Sequence, residues 1–349
     1  MTGVERAVVG ATPDGEPVER VVLGEAPGPV VHLLSLGACV DRFVVTGGDG
    51  VRRDVVLGHD TLADRLAGTG FHGAVVGRYA NRIAHGDLPL PGGAVRLPTN
   101  DRGHHLHGGP DGYHLRAWRL AAADDERVRL ELDSPDGDQG YPGALQVVAT
   151  YRLEGDTLRL DLEATTDRTT VVNLSHHAYW NLSGVGSGTV DDHTLEVPAD
   201  RWAPVDPTGI PLGALADVAG TPFDLRTARR LGDVVRDPHP QVVAGPGLDH
   251  DLVLGEHDGT LRTVAVLTSP ATRTRLTLRS DRPGLQVYTG NMLDGTETGR
   301  GGVPHRQGDG VALEPQLHPD SPHHPDWPSA TLAAGETSRA TVSWTVGPS

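Results

Sequence analysis

The sequence predicts an all-β protein, a large antiparallel β-sandwich with few short helices, and three observations carry that expectation. Several segments alternate apolar and polar residues with period two, as a strand with one buried face requires: Val128, Leu130 and Leu132; Leu158, Leu160 and Leu162; Val342, Trp344 and Val346. Turn clusters lie between the alternating stretches at Asp136-Gly137-Asp138, Tyr141-Pro142-Gly143 and Asp294-Gly295, where glycine supplies positive φ and proline pre-sets it. The 46 glycines and 27 prolines leave little room for long helices. Helical pieces are expected only at Thr61 to Leu66 and Thr227 to Leu231, too short for βαβ units. No long-period repeat, linker or charge block divides the chain, so residues 1–349 read as one domain.

Composition narrows the function class. The formal charge of -16, from 46 acidic against 30 basic residues, repels phosphate backbones and anionic lipid, so neither nucleic acid nor a membrane is an expected partner. All 30 basic residues are arginines, which excludes a lysine Schiff base or a phosphate-loop lysine. One cysteine, Cys39, excludes an intrachain disulfide and fits a reducing compartment. Met1 to Val9 has no signal-like apolar run and no later stretch is long enough to span a bilayer, so a cytoplasmic protein is expected.

Polar groups suited to a sugar recur within the strand-and-turn pattern. Asn81 and Arg82 could donate to hydroxyl oxygens, while Arg78 reads as structural. His107 sits at a turn before Gly108 and Gly109, whose flexibility lets backbone pass close to a ligand. His104, His105 and His107 lack the spacing and second ligand cluster of a zinc site, so no metal is expected. In the strand-like run Asn173 to Asn181, alternation puts His177 and Tyr179 on one face and His176 and Trp180 on the other. Asp249 and Gln286 each follow a turn glycine, and Glu314 ends an apolar run that would partly bury it. His323 and His324 read as solvent-facing loop residues.

The ordered motifs Gly77-Arg-Tyr-Ala-Asn-Arg-Ile83, Leu106-His-Gly-Gly109, Asp136-Gly-Asp-Gln-Gly-Tyr-Pro-Gly143, Asn173-Leu-Ser-His-His-Ala-Tyr-Trp-Asn-Leu182 and Leu313-Glu-Pro-Gln316 resemble the galactose mutarotase (aldose 1-epimerase) family. Gly220 to Arg226 and Tyr288-Thr-Gly-Asn291 add to the match, which is clear from about Gly77 to Ser321. The resemblance implies the mutarotase supersandwich, no cofactor, and a small-molecule aldose as partner of a monomer or homodimer. It implies that His177 is the acid and Glu314 the base, and that His107 contacts the ring-oxygen side. Asn81, Arg82, Tyr179, Asp249 and Gln286 would complete the sugar site. Departures fall at His176, at Pro315 and at Leu317-His318, and they bear on the pocket rim. Pro315 is compatible with a strand-borne Glu314, because the residue before proline is pushed to extended geometry.

Interconverting anomers requires a proton to leave the C1 hydroxyl and another to reach the ring oxygen. With Glu314 ionised and His177 protonated, activity should form a bell in pH. The neighbouring carboxylate should lift its alkaline limb above the unperturbed histidine value of about 6.5. Alternatives are a hexose-6-phosphate epimerase, for which no arginine cluster is evident, and a sugar-binding module without catalysis. Two-carboxylate glycoside hydrolysis would need a second acid whose motif is absent.

Overall fold

The computed structural model describes residues 4–255 and 258–349. Met1 to Gly3, part of the N-terminal stretch read above, lie outside the described residues.

A nine-stranded antiparallel sheet dominates the molecule. Its central strands are Arg127–Ser134, Leu145–Glu154, Thr157–Thr166, Thr337–Pro348, Thr274–Ser280 and Arg262–Ser269, in that spatial order. The three alternating triplets behave as expected, with Val128, Leu130, Leu132, Leu158, Leu160, Leu162, Val342, Trp344 and Val346 all buried in one core. A six-stranded sheet, here called the site sheet, runs Tyr179–Trp180, Val311–Gln316, Gly284–Tyr288, Asp249–Val253, Arg201–Trp202 and Ala216–Asp217. A five-stranded N-terminal sheet spans Glu5 to Asp54. The three sheets meet at an aromatic trio: Trp180 of the site sheet lies 5.6 Å from Phe43 and 6.2 Å from Trp344, ring centre to ring centre.

Helix is confined to short pieces. Thr61 caps Leu62–Ala67 by accepting from the Asp64 amide, close to the expected position. The second helix begins only at Leu231, because Arg229 and Arg230 instead pair with Thr194 and Leu195 at the edge of the large sheet. None of the described helices is long and apolar enough to cross a membrane.

Candidate active site

The site sheet is apolar on one face and polar on the other, and strand alternation decides which residue goes where. Val311 and Leu313 join the core with Leu285, Val287 and Leu252. Their neighbours turn the other way and build cross-strand rows. Tyr179, Ala312, Tyr288 and Asp249 are successive partners in one row, and Glu314, Gln286 and Asp251 in the next. A buried strand thus presents Glu314, 2 % exposed, to a cavity of about 580 Å³.

Of the residues expected to serve the sugar, Asn81, Arg82, His107, His177, Tyr179, Asp249 and Glu314 line this cavity. Gln286 shares the polar face beside Glu314, and its amide donates to Asp249 Oδ1 at 2.6 Å and so orients that carboxylate. Arg82 is held by Asp101 at 2.8 Å, and Arg102 reaches the same carboxylate at 3.3 Å. Arg78 is structural as expected, its guanidinium buried against the carbonyls of Pro142 and Gly143. Gly108 lies at φ +87°, where an added Cβ would come within 1.8 Å of the Gly77 carbonyl oxygen. Gly108 therefore serves the approach of two backbone segments, while Gly109 lines the cavity.

The run Asn173 to Asn181 is not one strand but two short pairings, Ser175–His176 with Val75–Val76 and Tyr179–Trp180 with Val311–Ala312. The expected division of its faces is nevertheless present. His177 and Tyr179 enter the cavity, while His176 packs 4.8 Å from Trp344 in the core. His323 and His324 do not simply face solvent: His323 Nδ1 lies 2.7 Å from Asp320 Oδ1, and His324 stacks on Trp327 at 4.1 Å. His318 is buried and pairs with Asp251 at 2.6 Å.

At the centre, His177 Nε2 lies 3.6 Å from Glu314 Oε1, adjacent but beyond hydrogen-bond distance. Glu314 Oε2 is buried without a partner. Burial, helped by the negative charge of Asp249, pushes the Glu314 carboxyl well above its ordinary range. Burial likewise pushes His177 down to about 4. The expectation that Glu314 would raise His177 is therefore overturned, because loss of water outweighs a carboxylate that is itself readily protonated. His107 Nδ1 accepts from the Asn81 amide at 3.1 Å, so the proton of the neutral ring sits on Nε2.

Sequence reading missed Phe71, whose ring lies 4.6 Å from His107 and 5.5 Å from His177. It also missed His114 and the partnership of Asp101 with Arg82. Asp101 is nineteen positions from Arg82 in sequence, and only the pairing of Arg82–Ile83 with His105–Leu106 brings that segment back.

Residues 19–345 match the family described as aldose 1-epimerase. The galactose mutarotase of Mus musculus is 39 % identical over 337 residues, covering 96 % of each chain. The aldose 1-epimerase of Escherichia coli (strain K12) is 37 % identical over 321 residues, covering 90 % of this chain and 91 % of its own. The crystal structure of galactose 1-epimerase from Lactobacillus acidophilus superposes with a TM-score of 0.85 at 31 % identity, covering 98 % of both chains. A sheet with one polar face, a buried histidine–carboxylate pair opening on a cavity, and a near-full-length match agree: the chain belongs to the aldose 1-epimerase family.

Proposed function

We propose that the chain, as one domain over residues 1–349, interconverts the α and β anomers of a free hexose, with His177 and Glu314 as the proton-transfer pair. The family makes it an isomerase acting on a small-molecule sugar. The observation that carries the residue assignment is the buried pair itself, 3.6 Å apart, with Glu314 Oε2 unpartnered on the cavity face of the sheet.

The chemistry needs one proton moved in each direction. Glu314 takes the proton of the C1 hydroxyl as His177 delivers one to the ring oxygen, the bond between C1 and that oxygen breaks, and the open aldehyde forms. Rotation about C1–C2 turns the other carbonyl face toward the ring hydroxyl. His177 then removes the proton from that hydroxyl, Glu314 returns its own to the aldehyde oxygen, and the ring closes with no net proton change. His107, with its proton on Nε2, donates to the ring-oxygen side in this reading, which its acceptance from the Asn81 amide at Nδ1 supports. Asn81, Arg82, Tyr179 and Asp249 hold the ring, and Gln286 fixes Asp249.

In the sugar-free pocket the shared proton rests on Glu314. The productive arrangement is the tautomer with Glu314 ionised and His177 protonated, which has the same number of protons. Hydroxyls of a bound sugar favour it by donating to the carboxylate, which has no donor of its own.

Asp249, Asp294, Glu297 and Glu314 line the cavity with Asp101, against Arg82 and Arg102, so a neutral sugar suits it better than a dianionic 6-phosphate. The single cysteine, buried as a free thiol, supports a cytoplasmic setting, as a monomer or homodimer without nucleic-acid or membrane partners. Polarimetry tests the proposal: the protein should accelerate the optical-rotation change of freshly dissolved α-D-galactose or α-D-glucose. No acceleration with either, or a kcat/KM that favours the 6-phosphate, would overturn it.

A further inference from the structure

A second group of imidazoles borders the same cavity and has no part in the proton transfers. His59, His72 and His305 surround Glu297, and one ligand atom from each of the four lies within 4.8 Å of the others. His59 and His72 flank the Leu62–Ala67 helix, while Glu297 and His305 stand on the paired strands Asp294–Thr298 and Pro304–Arg306.

The hydrogen bonding around these four leaves a cation's place. His59 Nδ1 lies 2.9 Å from the Thr298 carbonyl oxygen, which only accepts, so the proton of the neutral ring is on Nδ1. His59 Nε2 is then a lone pair, yet it sits 4.0 Å from Glu297 Oε2, another acceptor. His72 Nε2 donates to the same oxygen at 3.0 Å, a proton that a bound cation would replace. Neither ring nitrogen of His305 finds a partner of good hydrogen-bond geometry, although the Gly58 backbone lies close. His59, His72 and His305 are each 5 % exposed or less. The lone pair of His59 Nε2 facing a carboxylate oxygen is repulsive unless a positive charge lies between them, and the His72 proton supplies only part of that charge.

We propose that His59, His72, His305 and Glu297 form a binding site for a divalent transition-metal cation of the zinc class. Three imidazoles and a carboxylate are the donors such an ion prefers, and four protein ligands make a closed structural site rather than a catalytic one. Bonds of about 2.0–2.1 Å in a tetrahedron place ligand atoms roughly 3.3 Å apart. The contacts of 3.0 and 4.0 Å to Glu297 Oε2 bracket that spacing. The surroundings orient the ligands: Thr298 fixes the His59 tautomer, and the Thr69 amide and hydroxyl hold Glu297 Oε1 at 2.6 and 2.9 Å, so that Oε2, which accepts from His72, is the oxygen an ion would take in place of that proton. Glycines keep the donor atoms clear. A Cβ on Gly70 would lie 2.5 Å from His72 Nε2, and one on Gly299 would lie 2.3 Å from His305 Nε2.

His107, His177 and Glu314 cluster as closely, but there the tautomer is reversed. His107 Nδ1 accepts from Asn81, so His107 carries its proton on Nε2, whereas His59 has its lone pair there. The cation would tie the segment bearing Phe71, which packs on both catalytic imidazoles, to the 294–306 hairpin.

The test uses untagged full-length protein stripped with a chelator and titrated with Zn²⁺ by calorimetry. One equivalent should bind, and a hundredfold excess over Kd should raise Tm by roughly 2–5 °C. Co²⁺ in its place should give the intense visible absorption of a four-coordinate ion. His305→Ala and His59→Gln should each weaken binding at least about tenfold and abolish the Tm shift, while His107→Ala keeps both. If a variant fails to fold, the wild-type stoichiometry and Co²⁺ spectrum still decide. No Zn²⁺ binding, a pale six-coordinate Co²⁺ spectrum, or binding lost in His107→Ala and kept in His305→Ala would each overturn the proposal.

Discussion

Two clusters made of the same ingredients, imidazoles around one glutamate, lie on either side of the Tyr179 ring and treat the glutamate in opposite ways. Glu314 has a buried, partnerless oxygen, and its carboxyl is pushed well above its ordinary range. Glu297 accepts from the Thr69 amide and hydroxyl and from His72, and these donors pull its carboxyl down to about 2 against the opposing effect of burial. What separates a reactive carboxylate from an inert one here is the supply of donors, not the residue type or the presence of histidine. A carboxylate kept bare is ready to take a proton from a sugar hydroxyl. A carboxylate already saturated can anchor but not act as a base.

The largest expected effect tests that division. Glu314→Gln and His177→Asn should each reduce kcat by at least about 10²-fold with sugar binding retained, the lower end for loss of one acid or base. Glu297→Gln should cost less than about tenfold in kcat and show instead as a lower Tm. Polarimetric rates and calorimetric melting on the same preparations check both. Equal losses of kcat at Glu297 and Glu314 would erase the distinction.

The pH profile of kcat/KM comes next. The active state holds one proton shared by Glu314 and His177, so the acid limb marks gain of a second proton, near the His177 value of about 4. The alkaline limb marks loss of the last proton, above the ordinary carboxylate range because burial raises Glu314. The bell should therefore be wide. An acid limb at about 6.5 would mean that His177 is not depressed by burial.

His176 and His177 are adjacent in sequence and separated by the sheet, so they should divide activity from stability. His176→Asn replaces a ring packed against Trp344 and Tyr151 with a smaller amide. It should lower stability by about 1–3 kcal/mol and leave kcat within about threefold. Denaturant melts and polarimetry separate the two readouts, and a kcat loss matching that of His177→Asn would show that the faces are misassigned.

Buried histidines also set the acid stability. Burial pushes His176 and His114 down to about 3, and His105, His193 and His250 down to about 4. The unfolded chain protonates the same rings near about 6.5, so below that pH it binds more protons than the folded one. Their contribution is complete above about 6.5 and is lost as pH falls toward about 4, each ring adding a slope of up to about 1.4 kcal/mol per pH unit. Tm measured from pH 7 to 4 should fall steeply from about 6 downward, and a flat Tm to pH 5 would contradict the burial of these rings.

Much of this was legible in the sequence, for identifiable physical reasons. Period-two alternation marks which side chains share a sheet face, so Leu158, Leu160 and Leu162 could be assigned to the core, and His177 separated from His176. Glu314 stood out because a charge at the end of an apolar run demands an explanation. Alternation says nothing about what lies opposite, and that is where the reading stopped. Gln286 stands beside Glu314 on the polar face as alternation requires, but its hydrogen bond to Asp249 was not legible, because alternation does not say which neighbours share that face. His59, His72 and His305 were not singled out, because no local spacing joins positions 59, 72 and 305 before the hairpin folds against the helix. The depression of His177 was missed because it depends on removal of water from every side, a property of the packed pocket rather than of any neighbour in sequence.

The smallest effect sharpens the comparison most. The carboxylate of Asp249 raises both members of the catalytic pair: it disfavours a second negative charge on Glu314 and favours a positive charge on His177. Asp249→Asn removes that charge while keeping a side chain of the same shape. Glu314 should then lose its proton more readily, moving the alkaline limb of kcat/KM to lower pH. His177 should gain a proton less readily, moving the acid limb to lower pH as well. The bell should shift as a whole by less than about one pH unit rather than narrow, with a rise in KM from the lost sugar contact. If the limbs instead move toward or away from each other, Asp249 does not act on the pair as a common field. Gln286 offers a reason for one such outcome, since its amide, no longer held by a carboxylate, could turn to its cross-strand partner Glu314 and supply the missing donor. That would lower the alkaline limb alone and give Glu314 some of the character of Glu297. The double variant Asp249→Asn with Gln286→Leu removes that donor, and both limbs should then move together again.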